Sequence, residues 1–246
     1  MKGGLVIAVN AIEALHDAGA RTAWSFFLNA DEETGTYHSA DALAAVSRQH
    51  DVGIALEPAL AGGELAVERA GSGQFMLEVF GKSAHVGRAF TEGVSAVTML
   101  AGLLVRIADL PEPGRGKIVN VGPLRGGVAT NAVPDHAVAW GNVRFPDEAV
   151  AKELADELDA LATDETAMPR VVVHRSFNRP AKPLIPETKE LALWARAAAE
   201  SLGQSLPFAS TGGVCDGNIM QAAGLPTIDT LGVRGGGLHP PDAWIE

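Results

Sequence analysis

Asp31-Glu32-Glu33-Thr34-Gly35 comes shortly after the apolar run Trp24-Ser25-Phe26-Phe27-Leu28. A short apolar run before acids and a glycine predicts a buried strand over Trp24–Leu28 that ends in a polar turn. In open α/β sheets, ligands gather beyond the carboxyl ends of such strands. Two neighbouring carboxylates there can divide two tasks, one holding a metal ion and the other moving a proton. Glu32 would point away from Glu33 and could accept a proton from an activated water. The same acids also suit a helix start, where the dipole favours negative charge.

Two further groups stand in comparable places. Glu57 ends the short strand predicted over Val52-Gly53-Ile54-Ala55-Leu56, and His239 follows the glycine-rich stretch Gly232–Gly237. Carboxylate oxygen and imidazole nitrogen are the ligand types of catalytic zinc. Spacing alone leaves the alternative open that Glu33, Glu57 and His239 are ordinary loop residues.

Other residues carry weaker signals. His85 lies in Gly81-Lys82-Ser83-Ala84-His85-Val86-Gly87, directly after an alternating strand. Asn131 lies in Thr130-Asn131-Ala132-Val133-Pro134, and Arg144 near a strand end could hold a carboxylate through paired donors. A strand-end arginine also suits a surface ion pair. Thr211-Gly212-Gly213 precedes Asp216-Gly217-Asn218 and a helix, so free amides could meet an anion there, or a glycine turn could simply cap the helix. Cys215 reads as a small buried residue rather than a nucleophile.

The elements that must position these residues follow from periodicity. Leu5–Ala18 has helical spacing, then come the Trp24–Leu28 strand, a helix over Ser39–Ser47 and the Val52–Leu56 strand, an α/β order. Strands over Gln74–Phe80, Lys117–Val121, Ala137–Phe145 and Arg170–Arg175 enclose helices over Gly93–Ala108 and about Pro146–Ala162. That order, β-α-β-β-α-β, is the split, ferredoxin-like arrangement. Helices over Glu187–Leu202 and Asp216–Ala223 and a strand over Pro226–Leu231 restore the α/β grammar. The expected fold is therefore a three-layer α/β catalytic domain, residues 1–69 and 180–246, with a ferredoxin-like α+β domain inserted at 70–179.

The 246 residues are 47% hydrophobic and 20% charged, an ordinary globular balance. A net charge of −11 without a basic cluster argues against a nucleic-acid partner. A single cysteine excludes an internal disulfide framework and is compatible with a reducing compartment. No apolar run has membrane-helix length, and the first residues lack a signal-peptide layout, so a cytoplasmic protein is expected.

Taken together, these segments resemble the two-zinc amidohydrolases and metallopeptidases that include glutamate carboxypeptidase, aminoacylase, acetylornithine deacetylase and succinyl-diaminopimelate desuccinylase. The likeness runs in order from Lys2-Gly3-Gly4 to His239 and is nearest to the glutamate carboxypeptidase branch. It implies hydrolysis of a peptide or N-acyl amide bond beside a free carboxylate, with two zinc ions per subunit, or cobalt or manganese in their place. By resemblance Glu32 is the general base, Glu33 and His239 hold one ion, and Glu57 holds the other. The inserted domain forms a homodimer in which His85 reaches the partner's site and steadies the oxyanion. Asn131, Arg144 and the Gly212-Gly213 backbone hold the substrate, with Arg144 on its carboxylate. An Asp and a His-x-Asp pair that the family carries before the Lys-Gly-Gly run have no counterpart in this sequence, and Ala243 replaces a Glu often seen just before the aromatic residue, here Trp244. The expectation is a fragment of a longer enzyme, lacking some ligands and weak in metal binding. Two rivals are a non-catalytic dimeric relative that binds a small molecule or peptide, and a single-metal dipeptidase-like enzyme.

Overall fold

The computed structural model describes residues 2–237 and 244–245. In chain order the elements begin with α1 (Lys2–Asp17), α2 (Ala40–Ser47), β1 (Gly53–Ala55), β2 (Leu65–Arg69) and β3 (Gly71–Phe80). There follow α3 (Val86–Ala89), α4 (Ala96–Ala108), β4 (Ile118–Gly126), β5 (His136–Phe145), α5 (Glu148–Asp159) and β6 (Arg170–Arg179). The remainder are α6 (Pro186–Ser201), β7 (Phe208–Thr211), α7 (Asp216–Ala222), β8 (Thr227–Asp229), β9 (Gly235–Gly236) and β10 (Trp244–Ile245). These elements form two compact units, one of Ala70–Ala181 and one of the residues on either side of it. The α/β fold with an inserted α+β unit is thus the observed architecture.

In the inserted unit, alternation decides the strands. Phe75, Leu77 and Val79 of β3 are buried on one face. They meet Leu100, Leu103 and Ile107 of α4 and Val150, Leu154 and Leu158 of α5 in one core. Both helices start on side-chain caps: Ser95 Oγ accepts from Thr98 N at 3.1 Å, and Asp147 Oδ1 from Val150 N at 2.9 Å. The sheet order is β4-β5-β3-β6 with every pair antiparallel, the split β-α-β-β-α-β topology. Leu154 is fully buried at the centre of this core. Leu154→Ala is expected to cost about 2–5 kcal/mol in urea unfolding, by lost burial and the cavity left behind.

An ion network staples α5 to the turn before β4. The buried ammonium of Lys117 donates to Glu153 Oε1 at 2.7 Å, Glu157 Oε1 at 2.9 Å and Glu112 Oε1 at 3.3 Å. Arg115 donates to Glu112 and Glu153 at 2.9 and 2.8 Å. Arg115 first, then Lys117, hold the Glu153 carboxyl down to about 2. A depressed carboxylate stabilises the fold fully above its unfolded value and ceases to do so as pH falls through its folded value. The loss therefore falls between 4.5 and about 2. Urea midpoints should drop through that window in the parent chain and drop less steeply in Arg115→Met. An equally steep acid limb in both would refute the contribution.

The second unit holds a mixed sheet in the order β1-β8-β2-β7. β1 with β8 and β2 with β7 are parallel pairs, and β2 meets β8 antiparallel at Ala66 and Asp229. Leu65, Val67, Ile228 and Ala192 of α6 form its small core. One expected strand is corrected: residues 20–29 form neither helix nor strand, and Trp24, Phe26 and Leu28 are exposed. A strand requires a ladder partner, and no described residue pairs with this segment. Strands β2 and β7, not expected from the sequence, complete the sheet instead, β2 inside it and β7 at its edge. No helix among the described residues is long and apolar enough to cross a membrane.

Candidate active site

The acidic turn is built by its neighbours. Asp31 accepts from His38 N at 2.8 Å and from the Ser39 amide and hydroxyl, which hold its carboxyl below the ordinary range. Glu32–Thr34 then form a single 3-10 turn closed by Gly35, whose φ of 106° lies in the left-handed region where a side chain would be strained. Thr36 follows with φ 56° and is fully buried. Its hydroxyl donates to Asp216 Oδ1 at 2.8 Å, while Asn29 Nδ2 donates to Asp216 Oδ2 at 2.7 Å. The start of α7 therefore clamps the turn from both sides. Glu32 is half-buried there, and Glu33 is exposed with no hydrogen bond or ion pair among the described residues.

Glu57 stands just beyond β1. Its carbonyl accepts from Gly232 N at 2.8 Å, so the glycine-rich segment runs beside it. Burial pushes the Glu57 carboxyl up to about 7. The charge of Glu32 adds to the rise, Arg69 opposes it, and Asp229 and Asp216 add further. The charge of Glu32 thus reaches the Glu57 carboxyl, which is itself partly withdrawn from solvent.

Beneath them lies a buried ion cluster. Arg69 Nε donates to both oxygens of Asp229 at 3.0 Å, and Nη2 donates to Oδ1 at 2.7 Å. Lys182 Nζ lies 3.3 Å from Asp229 Oδ2 and donates to Ala66 O at 3.3 Å. Asp229 and Lys182 are wholly buried. Burial draws the Lys182 ammonium down and Asp229 opposes this. Cys215 is buried beside the cluster, and burial pushes its thiol up to about 12, so it is no nucleophile at neutral pH. The start of α7 satisfies itself, since Cys215 N donates to Asn218 Oδ1 at 3.0 Å.

The inserted unit carries the other expected residues. His85 caps α3, its Nδ1 accepting from Gly87 N at 3.2 Å. Val86 N donates to Asn131 O at 3.0 Å, and His85 bridges Ala132, which lays the His85 and Asn131 loops side by side. Arg144 lies on β5 between Ser72 and Ile118. Its Nη1 is buried without a hydrogen-bond partner among the described residues, and burial holds its guanidinium below the ordinary value. A buried orphan donor of this kind is costly unless an anion meets it.

A divalent cation fits the chemistry of the Glu57 neighbourhood, where burial first, and then the charges of Glu32, Asp229 and Asp216 against that of Arg69, drive the Glu57 carboxyl toward protonation. Among the described residues, no three His, Cys, Asp or Glu side chains come together as a metal cage. His239, the expected imidazole ligand, lies outside the described residues.

Residues 67–167 match the M20 peptidase dimerisation domain. Over 250 residues the chain is 27% identical to carboxypeptidase G2 of a Pseudomonas species, covering 98% of this chain and 60% of that protein. The solved aminopeptidase PepT of Bacillus cereus superposes with a TM-score of 0.82 at 26% identity, covering 98% of this chain and 65% of that one. Residues 67–167 thus resemble an M20 peptidase dimerisation domain, and the chain as a whole is similar to peptidases. A Staphylococcus aureus tripeptidase shares the fold, with a TM-score of 0.70 and 24% identity over 86% of this chain and 56% of that one. The chain spans 60% and 62% of the lengths of two curated relatives, carboxypeptidase G2 and the uncharacterised Bacillus subtilis protein YqjE, to which it is 25% identical. Sequence reasoning overlooked Asn29, Thr36, Arg69, Lys182 and Asp229. Asn29 and Thr36 flank the acidic motif and were the detectable signal; the buried ion cluster offers no local pattern.

Proposed function

We propose that this chain carries acids and substrate-holding groups of a metal-dependent hydrolase that cleaves an amide bond, peptide or N-acyl, beside a free carboxylate. The observation that carries the reading is the half-buried Glu57 carboxyl just beyond β1, pushed up to about 7 by burial and by the charge of Glu32. Glu57 would hold one divalent ion, and Glu33 with His239 another, zinc being the expected metal and cobalt or manganese its substitutes. The bound ions would supply Lewis-acid polarisation of the scissile carbonyl. Glu32 would accept a proton from the attacking water and deliver it to the leaving amine. His85, contributed across a homodimer formed through the inserted unit, would donate to the oxyanion, with Asn131 and the Gly212-Gly213 backbone beside the substrate. Arg144, whose Nη1 is buried and unpaired among the described residues, would take the substrate carboxylate through its fork.

The test is hydrolysis of N-acylglutamates and glutamyl dipeptides with added zinc. Arg144→Met is expected to raise KM roughly 10–100-fold, the loss of a charged hydrogen-bonded pair. The corresponding amides, lacking the carboxylate, should be poor substrates for both proteins. Equal turnover of acids and amides by the parent chain would refute the carboxylate assignment.

A further inference from the structure

The Gly212-Gly213 loop is not held by packing. A side chain at Gly212 would meet nothing within 4 Å, and one at Gly213 would meet Arg69 Nη1 at 3.5 Å and Thr211 Oγ1 at 3.7 Å. Both glycines are exposed. Adjacent glycines lose the most backbone freedom on ordering, so a defined loop shape needs a tether. Arg69 provides one, its Nη1 donating to Gly213 O at 3.0 Å. The guanidinium itself cannot swing, since Nε and Nη2 are spent on the buried Asp229 and Lys182 closes the other side of that carboxylate. The backbone of Arg69 is fixed as well, by reciprocal hydrogen bonds of 2.9 Å with Lys182.

In a trans peptide, C=O and N–H point in opposite directions. Drawing the Gly213 carbonyl inward onto Arg69 therefore aims the Val214 N–H the other way. That amide donates no hydrogen bond among the described residues. We propose that Arg69, pinned by Asp229 and Lys182, is a positioning residue that orients the Gly213–Val214 peptide so that Val214 N–H donates to a substrate oxygen. The oxygen would belong to the carboxylate or carbonyl of the acyl amino acid. This rests on the reading of the loop as part of the substrate cradle. Lysine could not replace Arg69, because a point charge cannot bond Asp229 twice and Gly213 at once.

NMR of the whole chain, with N-acetylglutamate as the probe, tests the proposal. Without the probe, Gly213 and Val214 should show order parameters of about 0.85, falling below about 0.6 in Arg69→Lys while β8 stays rigid. Independently of any variant, the Arg69 Nη1 protons should show restricted rotation and a coupling across the hydrogen bond to the Gly213 carbonyl carbon. A mobile Gly213 or a freely rotating Nη1 in the parent chain would overturn the tether. An equally ordered loop in a folded Arg69→Lys would overturn it too. On titration with N-acetylglutamate, the Val214 amide should shift in the parent chain and respond less in Arg69→Lys. A probe that shifts other residues of the loop but leaves Val214 unmoved overturns the donor role. A probe that shifts nothing anywhere sinks the hydrolase reading, and the tether is still decided by the measurements made without it.

Discussion

Exchange of Glu32 for Gln is expected to slow amide hydrolysis roughly 10²–10⁴-fold, the usual worth of a general base. Glutamine keeps the size and one hydrogen-bonding oxygen of Glu32 but cannot accept a proton. The 3-10 turn that carries it should survive, because the turn is held by Asp31, Ser39, Thr36 and Asp216 rather than by Glu32 alone. A second consequence is electrostatic: the charge of Glu32 helps raise the Glu57 carboxyl to about 7, so its removal lets Glu57 ionise at lower pH. Turnover measured across pH with saturating zinc would separate the two. Undiminished turnover in Glu32→Gln would remove Glu32 from the role of base.

The largest effect on stability is expected at Asp229. Asp229→Asn leaves Arg69 and Lys182 as buried cations without a counter-charge, at a cost of about 3–5 kcal/mol. Coupling Asp229→Asn with Lys182→Met should recover part of that loss, because one of the stranded charges is removed with its partner. Urea unfolding of the parent chain, the single and the double variant measures both quantities. A loss below about 1 kcal/mol in Asp229→Asn would mean that water reaches the cluster and screens it.

The inserted unit was legible because its apolar patterns are satisfied within it. Phe75, Leu77 and Val79 alternate, Leu100, Leu103 and Ile107 recur at helical spacing, and each set finds the other in one core. Trp24, Phe26 and Leu28 also alternate, yet they remain exposed and unpaired as a ladder. Periodicity encodes a demand for burial, not the partner that meets it. The acidic motif was readable from its own residues, but the groups that shape it were not. Thr36 and Asp216 meet from 180 positions apart, and Arg69 and Asp229 from 160. Charged and hydroxyl residues at strand ends look the same in sequence whether solvated or locked in a buried cluster. Leu65–Arg69 and Phe208–Thr211 escaped notice as strands because each is short and ends on polar residues.

Zinc affinity of the parent chain and of Glu57→Gln, measured in competition with a chromophoric chelator, bears most directly on the seat proposed at Glu57. The parent chain should bind zinc, and Glu57→Gln should bind it roughly 10–100-fold more weakly or worse. Equal affinity in the two proteins, or no zinc binding by the parent chain, would contradict it.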